Sequence, residues 1–364
     1  MERIINDRLN EYLEMTRRIS GLQCGCRRRR STVDHLVRLE SAIRKAFVNG
    51  ENFVSVFFDL ENAYDTTWRY GIIRNMFRKG LKGRLPMFIE KFLENRSFKV
   101  RIGSTYSDSQ IQLNLIPQGS VISVTLFAMK IDQIIDMIPS EDGFHPSLFM
   151  DDLQVWFRHH DLRVIESKLQ ACLNSVALWA TENGYRFSPT KTSVMHFTVH
   201  PGLHLRTNLT IYNKKIEEYT ESFKFWGLIR DGKLTFKKHL SELKAKCQKP
   251  LALLRYITSL RWGTYQKLMK MIYNTQVRSR LDYGCIVYMS ASGTNLMLIS
   301  SIRTEALRII TGAFKTTPIS ALRVMGFELT LELRREQLAL QYFYKICSYL
   351  DNPACAMVRQ LQQS

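Results

Sequence analysis

The stretch SLFMDDLQVWF, residues 147–157, sets two adjacent carboxylates, Asp151 and Asp152, inside an apolar segment. Phe149, Met150, Leu153, Val155, Trp156 and Phe157 supply that apolar character. Alternation on both sides predicts two short strands joined by a tight turn. Aspartate is a common turn former, because its side chain bonds nearby backbone. Two like charges a few ångströms apart also raise one another's pKa unless a cation sits between them. A hard divalent ion such as Mg²⁺ takes carboxylate oxygens and relieves both charges. That second reading needs a further carboxylate from elsewhere in the chain.

Asp59 is the candidate. In NFVSVFFDLENAYDTTW, residues 52–68, Val54, Val56, Phe57 and Phe58 form a near-continuous apolar run that ends in Asp59. Such a run predicts a strand buried on both faces. Six residues on, Asp65 with Thr66 reads as a helix cap before Trp68. If the two strand regions are neighbours in one sheet, Asp59, Asp151 and Asp152 meet at one edge. Three carboxylates there suit two divalent ions ~3.5–4 Å apart, the arrangement that serves phosphoryl transfer.

The whole chain agrees with a polyanionic partner. Its 364 residues carry 52 Lys+Arg against 33 Asp+Glu, a net charge of +19, which favours nucleic acid first and an anionic surface second. The length predicts two or three subdomains. No run of ~18 apolar residues is present, which argues against a membrane-spanning helix. The opening MERIINDRLNEYLEM reads as an amphipathic helix and not a secretory leader. The seven cysteines are scattered without a C-x-x-C pair, which argues against zinc modules and for an intracellular chain with unpaired thiols.

In GCRRRRSTVDHLVRLESAIRKAF, Ser31 or Thr32 is placed to cap a helix. Arg27, Arg28, Arg29 and Arg30 before it read either as a solvated basic turn or as a phosphate clamp at a helix N-terminus. Pro86 to Leu93 reads as a helix, and residues 97–116 as a hairpin about Gly103-Ser104. IPQGSVISVTLFAMKIDQII runs from a turn into a helix. Residues 161–183 form a further helix, capped by Asp161 and stopped by Asn183-Gly184. YRFSPTKTSVMHFTV returns as a strand. From about Leu234 helical patterns dominate, which sets a domain boundary near residue 235. Lysines 214, 215, 224, 233, 237, 238, 244, 246 and 249 crowd that junction.

Taken in order, FFDLENAYD, IPQGSVIS, FMDD, NGYRFSPTKT and FKFWGLIRDGKLTFKKHL resemble the successive palm motifs of reverse transcriptases. GCRRRRSTVDHLVRLE resembles the stretch that precedes them in non-LTR (LINE-type) retrotransposon enzymes. The tail, RSRLDYGCIVYMSAS onward, is similar to the jockey-like branch. The resemblance covers nearly the whole chain; each motif alone is weak, and five in order are strong. It implies that Asp59 and Asp151 hold two Mg²⁺ ions, or Mn²⁺ in their place, with Asp152 completing the set. It implies that Leu60, Glu61, Asn62 and Ala63 face the triphosphate and that Tyr64 excludes a ribose 2′-hydroxyl, with core packing as the alternative. Gln118 and Gly119 match the segment touching the incoming nucleotide and template. Lys191 matches a proposed general acid, or is a plain surface lysine. Phe225, Trp226 and Gly227 match the primer grip, with Lys237 and Lys238 following in the same motif.

The expected fold is α/β (α+β), a right-hand polymerase: partial fingers over 1–51, an antiparallel-sheet palm over 52–235 with a fingers insertion at about 70–116, and a helical thumb with extension over 236–364. The expected function is RNA-directed DNA synthesis from dNTPs on an RNA template and DNA primer. The alternatives are a catalytically inactive nucleic-acid-binding remnant and an RNA-dependent RNA polymerase. Relative to the family pattern the first fingers strands are missing, so the chain is expected to be an N-terminally truncated element product.

Overall fold

The computed structural model describes residues 1–358 apart from 113, 115, 140–142, 200–207, 220, 259–262, 350 and 356–357. The chain divides into two compact units. One comprises residues 1–35 and 43–219, the other residues 36–42 and 220–364.

The first unit is built on a five-stranded sheet. Its strands are β1 (Asn52–Phe58), β2 (His145–Phe149), β3 (Asp152–His159), β4 (Ser193–Phe197) and β5 (Glu217–Tyr219), in the spatial order β5-β4-β1-β3-β2. β1 is central because it is apolar on both faces: Phe53, Val54, Val56, Phe57 and Phe58 are all buried. Ser55, the polar residue within it, is buried too and accepts a hydrogen bond from Gln154 Nε2 at 2.8 Å. β1 runs antiparallel to β3 with Phe58 opposite Leu153, and antiparallel to β4 with Val56 opposite Val194. The sheet is not wholly antiparallel as expected, since β5 pairs parallel to β4. The predicted hairpin at 147–157 is present, with Phe149 opposite Asp152.

Helices α1 (Glu2–Met15), α2 (Thr32–Val48), α3 (Arg69–Arg78), α4 (Arg84–Leu93), α5 (Val121–Ile131) and α6 (Leu162–Glu182) accompany the sheet. α6 packs on β3 and starts where expected, Asp161 Oδ1 accepting from the Arg163 amide at 2.8 Å. Ser31 is the N-cap of α2, and its own amide donates to Asp34 Oδ2 at 2.9 Å. Asp65 does not cap a helix. The Asp65 and Thr66 amides turn back onto the Asn62 carbonyl, and the Thr67 hydroxyl onto Ala63, so α3 begins only after Trp68. The hairpin about Gly103 is formed by the pairs Ser97–Phe98 with Gln110–Ile111 and Arg101–Ile102 with Thr105–Tyr106.

The second unit opens with a hairpin, β6 (Ser222–Phe225) and β7 (Leu228–Asp231), and continues in helices. The compact division therefore falls at 219/220, upstream of the boundary expected near 235. The hairpin turn Trp226-Gly227 has φ of 44° and 80°, the left-handed pair that matches strand twist. Asp231 then organises the approach to α7 (Lys237–Ile257). Its carboxylate accepts from the amides of Lys233, Thr235 and Phe236 and from the Thr235 hydroxyl, at 2.9–3.2 Å. Pro250 lies inside α7 and brings no N–H to the Lys246 carbonyl. Arg280 Nη1 donates to that carbonyl at 2.6 Å instead. Beyond α7 lie α8 (Gln266–Tyr273), α9 (Gly293–Thr311), α10 (Ile319–Met325) and α11 (Leu331–Cys347), with short helical turns between. Among the described residues no helix is long and apolar enough to cross a membrane.

His239 on α7 is buried against the Tyr288 ring, 5.3 Å between centroids, and its Nδ1 accepts from the Ile229 amide at 3.5 Å. Burial, then Lys246 and Arg230, lowers its pKa to about 4. The unfolded chain therefore binds a proton at His239 below ~6.5 that the folded chain refuses until about pH 4, so stability falls as the pH drops through that window. We expect this residue alone to remove about 2 kcal/mol between pH 7 and 5. Urea midpoints of the unmodified chain and of His239→Gln at both pH values check it, and the unmodified chain should lose more.

Candidate active site

Asp59 leaves the C-terminal end of β1, and Asp152 begins β3. Continuing the Phe58–Leu153 register by one step sets Asp59 beside Asp152, with Asp151 in the adjoining turn. The turn places a non-glycine residue, Met150, at φ 58°. Such a conformation costs an L-residue about 1–2 kcal/mol and persists only where neighbours enforce it. The enforcing residue is Gln23, fully buried. Gln23 Oε1 accepts from the Met150 amide at 3.1 Å and from the Gly25 amide at 2.8 Å. The Cys24 amide donates to the Leu148 carbonyl at 2.9 Å, so residues 22–25 run along β2. Gly25 must lack a side chain, since a Cβ would stand 2.4 Å from the Met150 nitrogen. Sequence reasoning missed Gln23. The signal present was a polar residue two positions before a glycine in GLQCGC.

The segment 186–192 lies along the other side of Asp59. The Ser188 amide donates to the Asp59 carbonyl at 2.8 Å, and the Glu61 amide to Arg186 at 2.9 Å. Lys191 Nζ thereby comes to 3.6 Å from Asp59 Oδ2. That oxygen is buried and has no hydrogen-bond partner. Burial, then the Asp59 charge, raises the Asp151 pKa. An orphaned carboxylate oxygen and a neighbouring carboxyl held above its ordinary range are the features a hard cation relieves, so Asp59 and Asp151 fit a divalent ion. The expected three-carboxylate cluster is not closed. Among the described residues no three His, Cys, Asp or Glu side chains gather as a metal-binding group.

Tyr64 stacks on Phe127, centroids 4.5 Å apart and rings 18° from parallel. It is half-buried, and burial, then Cys26 and Asp151, pushes its hydroxyl up to about 12. The ring is thus both a core contact and a neighbour of Asp151. Leu60 and Ala63 are buried, while Asn62 is exposed at φ 48°. Gln118 Nε2 reaches Asp65 Oδ1 at 3.5 Å, and Gly119 takes φ 88° with open space where a Cβ would stand. Ser120 and Val121, which start α5, both donate to Glu2 Oε2, at 2.8 and 3.0 Å.

The four arginines do not form a free clamp. The Arg27 side chain is 6% exposed, its Nε donating to Glu14 Oε1 at 2.7 Å and Nη1 to the Gln23 carbonyl at 2.8 Å. Arg28 pairs with Asp7 at 2.8 Å, Arg30 Nη1 donates to the Gly21 carbonyl at 3.3 Å, and Arg29 sits at φ 67°. These side chains tie the 20–30 segment to α1 and to itself.

In the second unit, Phe225 packs against Trp226 with centroids 4.0 Å apart. Tyr283, a residue the sequence did not single out, donates its hydroxyl to the Trp226 carbonyl at 2.7 Å. Its ring would meet a Cβ on Gly227 at 2.9 Å. Lys237 and Lys238 are exposed at the start of α7. A concavity of about 750 Å³ farther along is lined by Lys246, Lys249 and Arg280.

The family model for reverse transcriptase (RNA-dependent DNA polymerase) matches residues 1–230. The RNA-directed DNA polymerase from mobile element jockey of Drosophila melanogaster is 26% identical over 317 residues, 86% of this chain and 34% of that protein. The probable RNA-directed DNA polymerase from transposon BS of the same organism is 24% identical over 318 residues, 85% of this chain and 34% of that protein. The chain thus spans about a third of the length of these curated relatives. Among solved structures, apo telomerase from Candida Tropicalis superposes with a TM-score of 0.50 at 12% identity, covering 98% of this chain and 60% of that one, a likeness of fold. With the sheet, the paired aspartates and a family match over residues 1–230, the chain belongs to the reverse transcriptase family and has its right-hand polymerase fold.

Proposed function

We propose that the chain is the polymerase portion of a non-LTR retrotransposon protein and extends a DNA primer on an RNA template. The observation that supports this reading is that Asp59 follows β1 next to β3, with Lys191 Nζ 3.6 Å from its Oδ2 and Asp151 feeling its charge. In this reading residues 52–235 act as palm and fingers insertion, with residues 1–51 as fingers. The helices from 236 onward act as thumb, and Phe225, Trp226 and Gly227 grip the primer. Arg27, whose fork is taken by Glu14, serves the fold and not the phosphates.

The primer 3′-oxygen attacks the α-phosphorus of a dNTP, and the bond to pyrophosphate breaks. Mg²⁺, or Mn²⁺ in its place, supplies charge neutralisation for that transfer when held by Asp59 and Asp151, with Asp152 adjoining. The chain's own residues do the rest. The backbone at Leu60 to Ala63, with Gln118 and Gly119, faces the nucleotide, and Gly119 presents no side chain there. Lys191, largely exposed, holds a proton at Nζ that can pass to the departing pyrophosphate. The Tyr64 ring, fixed by Phe127, fills the space that a ribose 2′-hydroxyl needs.

Primer extension with dNTPs and Mg²⁺ tests the assignment. Asp59→Asn and Asp151→Asn should each lower the rate at least about 1000-fold, a loss of about 4 kcal/mol. Lys191→Ala should lower it about 100-fold. A chain that binds RNA but extends no primer would be a nucleic-acid-binding protein instead.

Tyr64→Ala should raise ribonucleotide relative to deoxyribonucleotide incorporation roughly tenfold or more, because the space opened is that of a small substituent. Tyr64→Phe keeps the ring and should leave discrimination unchanged. Equal ratios in all three proteins would reduce Tyr64 to a packing residue.

A further inference from the structure

The turn that presents Gln118 and Gly119 is held from outside its own helix. Ser120 is the N-cap of α5, a position from which a serine hydroxyl ordinarily accepts an amide of the first turn. Here it makes no such bond. It donates instead to Glu2 Oε2 at 2.8 Å, and the Val121 amide donates to the same oxygen at 3.0 Å. A carboxylate from α1 thus caps α5. The Ser120 hydroxyl, with the Val121 and Ile122 amides, holds the Glu2 carboxyl below its ordinary range, and the Arg96 charge adds to this. Farther along, Asn6 Oδ1 accepts from the Thr125 hydroxyl at 2.6 Å, and Asn10 Nδ2 donates to the Thr125 oxygen at 3.2 Å. Glu2, Asn6 and Asn10 recur every fourth residue on one face of α1, so the two helices lie side by side and run the same way. Their positive N-terminal ends are neighbours, and Glu2, itself in the first turn of α1, is placed to relieve both.

The other end of the turn is tied to Tyr64. The Ile116 amide donates to the Tyr64 carbonyl at 3.2 Å, and the Tyr64 ring stacks on Phe127 of α5. Between these two anchors the Ser120 amide closes a turn onto the Pro117 carbonyl at 3.4 Å, with Gly119 at φ 88°. Glycine restrains its backbone least of all residues, so Gly119 does not hold that conformation by itself. The anchors have to. We propose that Glu2 is a positioning residue for nucleotide binding: by capping α5 it fixes the 117–120 turn in the form that receives the incoming nucleotide. The inference rests on the polymerase reading and extends it to a residue outside the set assigned to nucleotide or metal. A turn released at one end spends part of its time in forms that cannot bind, and apparent affinity falls by the fraction of time it is competent. Saturating nucleotide draws the turn back, so the maximal rate is kept.

The test is steady-state primer extension by the full chain with the dNTP concentration varied. Glu2→Ala should raise the dNTP KM roughly fivefold to tenfold, the effect expected of a lost charged cap, and keep kcat within about twofold. Asn6→Ala is the control for general loosening. It frees α1 from Thr125 without touching the turn, and should leave the KM unchanged. A purely structural role would act the other way, since unfolded molecules drop out of the assay and lower kcat at constant KM. Hydrogen exchange of residues 116–121 gives a readout that needs no activity. The Ile116 and Ser120 amides should exchange faster in Glu2→Ala and at the unmodified rate in Asn6→Ala. The proposal fails if Glu2→Ala keeps its KM, if Asn6→Ala raises the KM as much, or if exchange at Ile116 and Ser120 does not change. An unmodified chain that extends no primer overturns the polymerase reading, and this role with it. An active unmodified chain beside a Glu2→Ala variant of unaltered KM overturns this role alone.

Discussion

Two hydrogen bonds accepted by one buried amide oxygen hold the turn on which everything at the sheet edge depends. Gln23 fixes Met150 in a left-handed conformation that methionine does not choose, and Gly25 lets the two backbones meet. Without that support the β2–β3 connection has no reason to prefer a geometry that sends Asp151 into the field of Asp59. The Asp-bearing hairpin is therefore shaped less by its own residues than by a segment some 125 positions earlier, where Gln23 and Met150 are paired across 127 residues. A segment near the N-terminus thus clamps the Asp-bearing turn.

The sheet was legible because its hydrophobic pattern is unambiguous. A run such as Val54 to Phe58 can only be satisfied at the centre of a sheet, and its neighbours β3 and β4 carry the matching apolar residues. α6 was legible for the same reason, together with its aspartate cap. What escaped was set by long-range contacts or by local competition. Asp65 resembles a cap, but hydroxyls and amides of the following threonines take the preceding carbonyls first. The compact units divide at 219/220 and place residues 36–42 with the later chain, because a hairpin of ordinary strand composition clusters with the helices that follow it. Asp59 and Asp152 were legible as carboxylates at strand ends. The roles of Gln23 and Tyr283 depend on side-chain placement that no spacing rule encodes.

The basic excess also divides in a way composition cannot show. Arg27 is taken up by Glu14, and Arg230, 2% exposed, donates to the Leu36 carbonyl while feeling the charge of Glu40. Arg27 is thereby structural, while Arg230 keeps Nε and Nη1 buried without a hydrogen-bond partner. Lys237 and Lys238 at the start of α7 are exposed, while Arg334 of the C-terminal helices pairs with Asp282 at 2.8 Å. Net charge is therefore a poor guide to which residues meet a polyanion.

Pro250 has a bearing on how the second unit acquires its shape. A helix containing an internal proline has one unfilled carbonyl and a steric reason to bend, so residues 237–257 have a weak point when they stand alone. The missing donor arrives from Arg280, thirty-four residues after Lys246. During synthesis the helix must wait for that segment before its backbone is complete. Folding of the unit is then cooperative over a longer stretch of chain than helix propensity alone would set, and the order in which its parts become stable follows the order in which the later helices emerge.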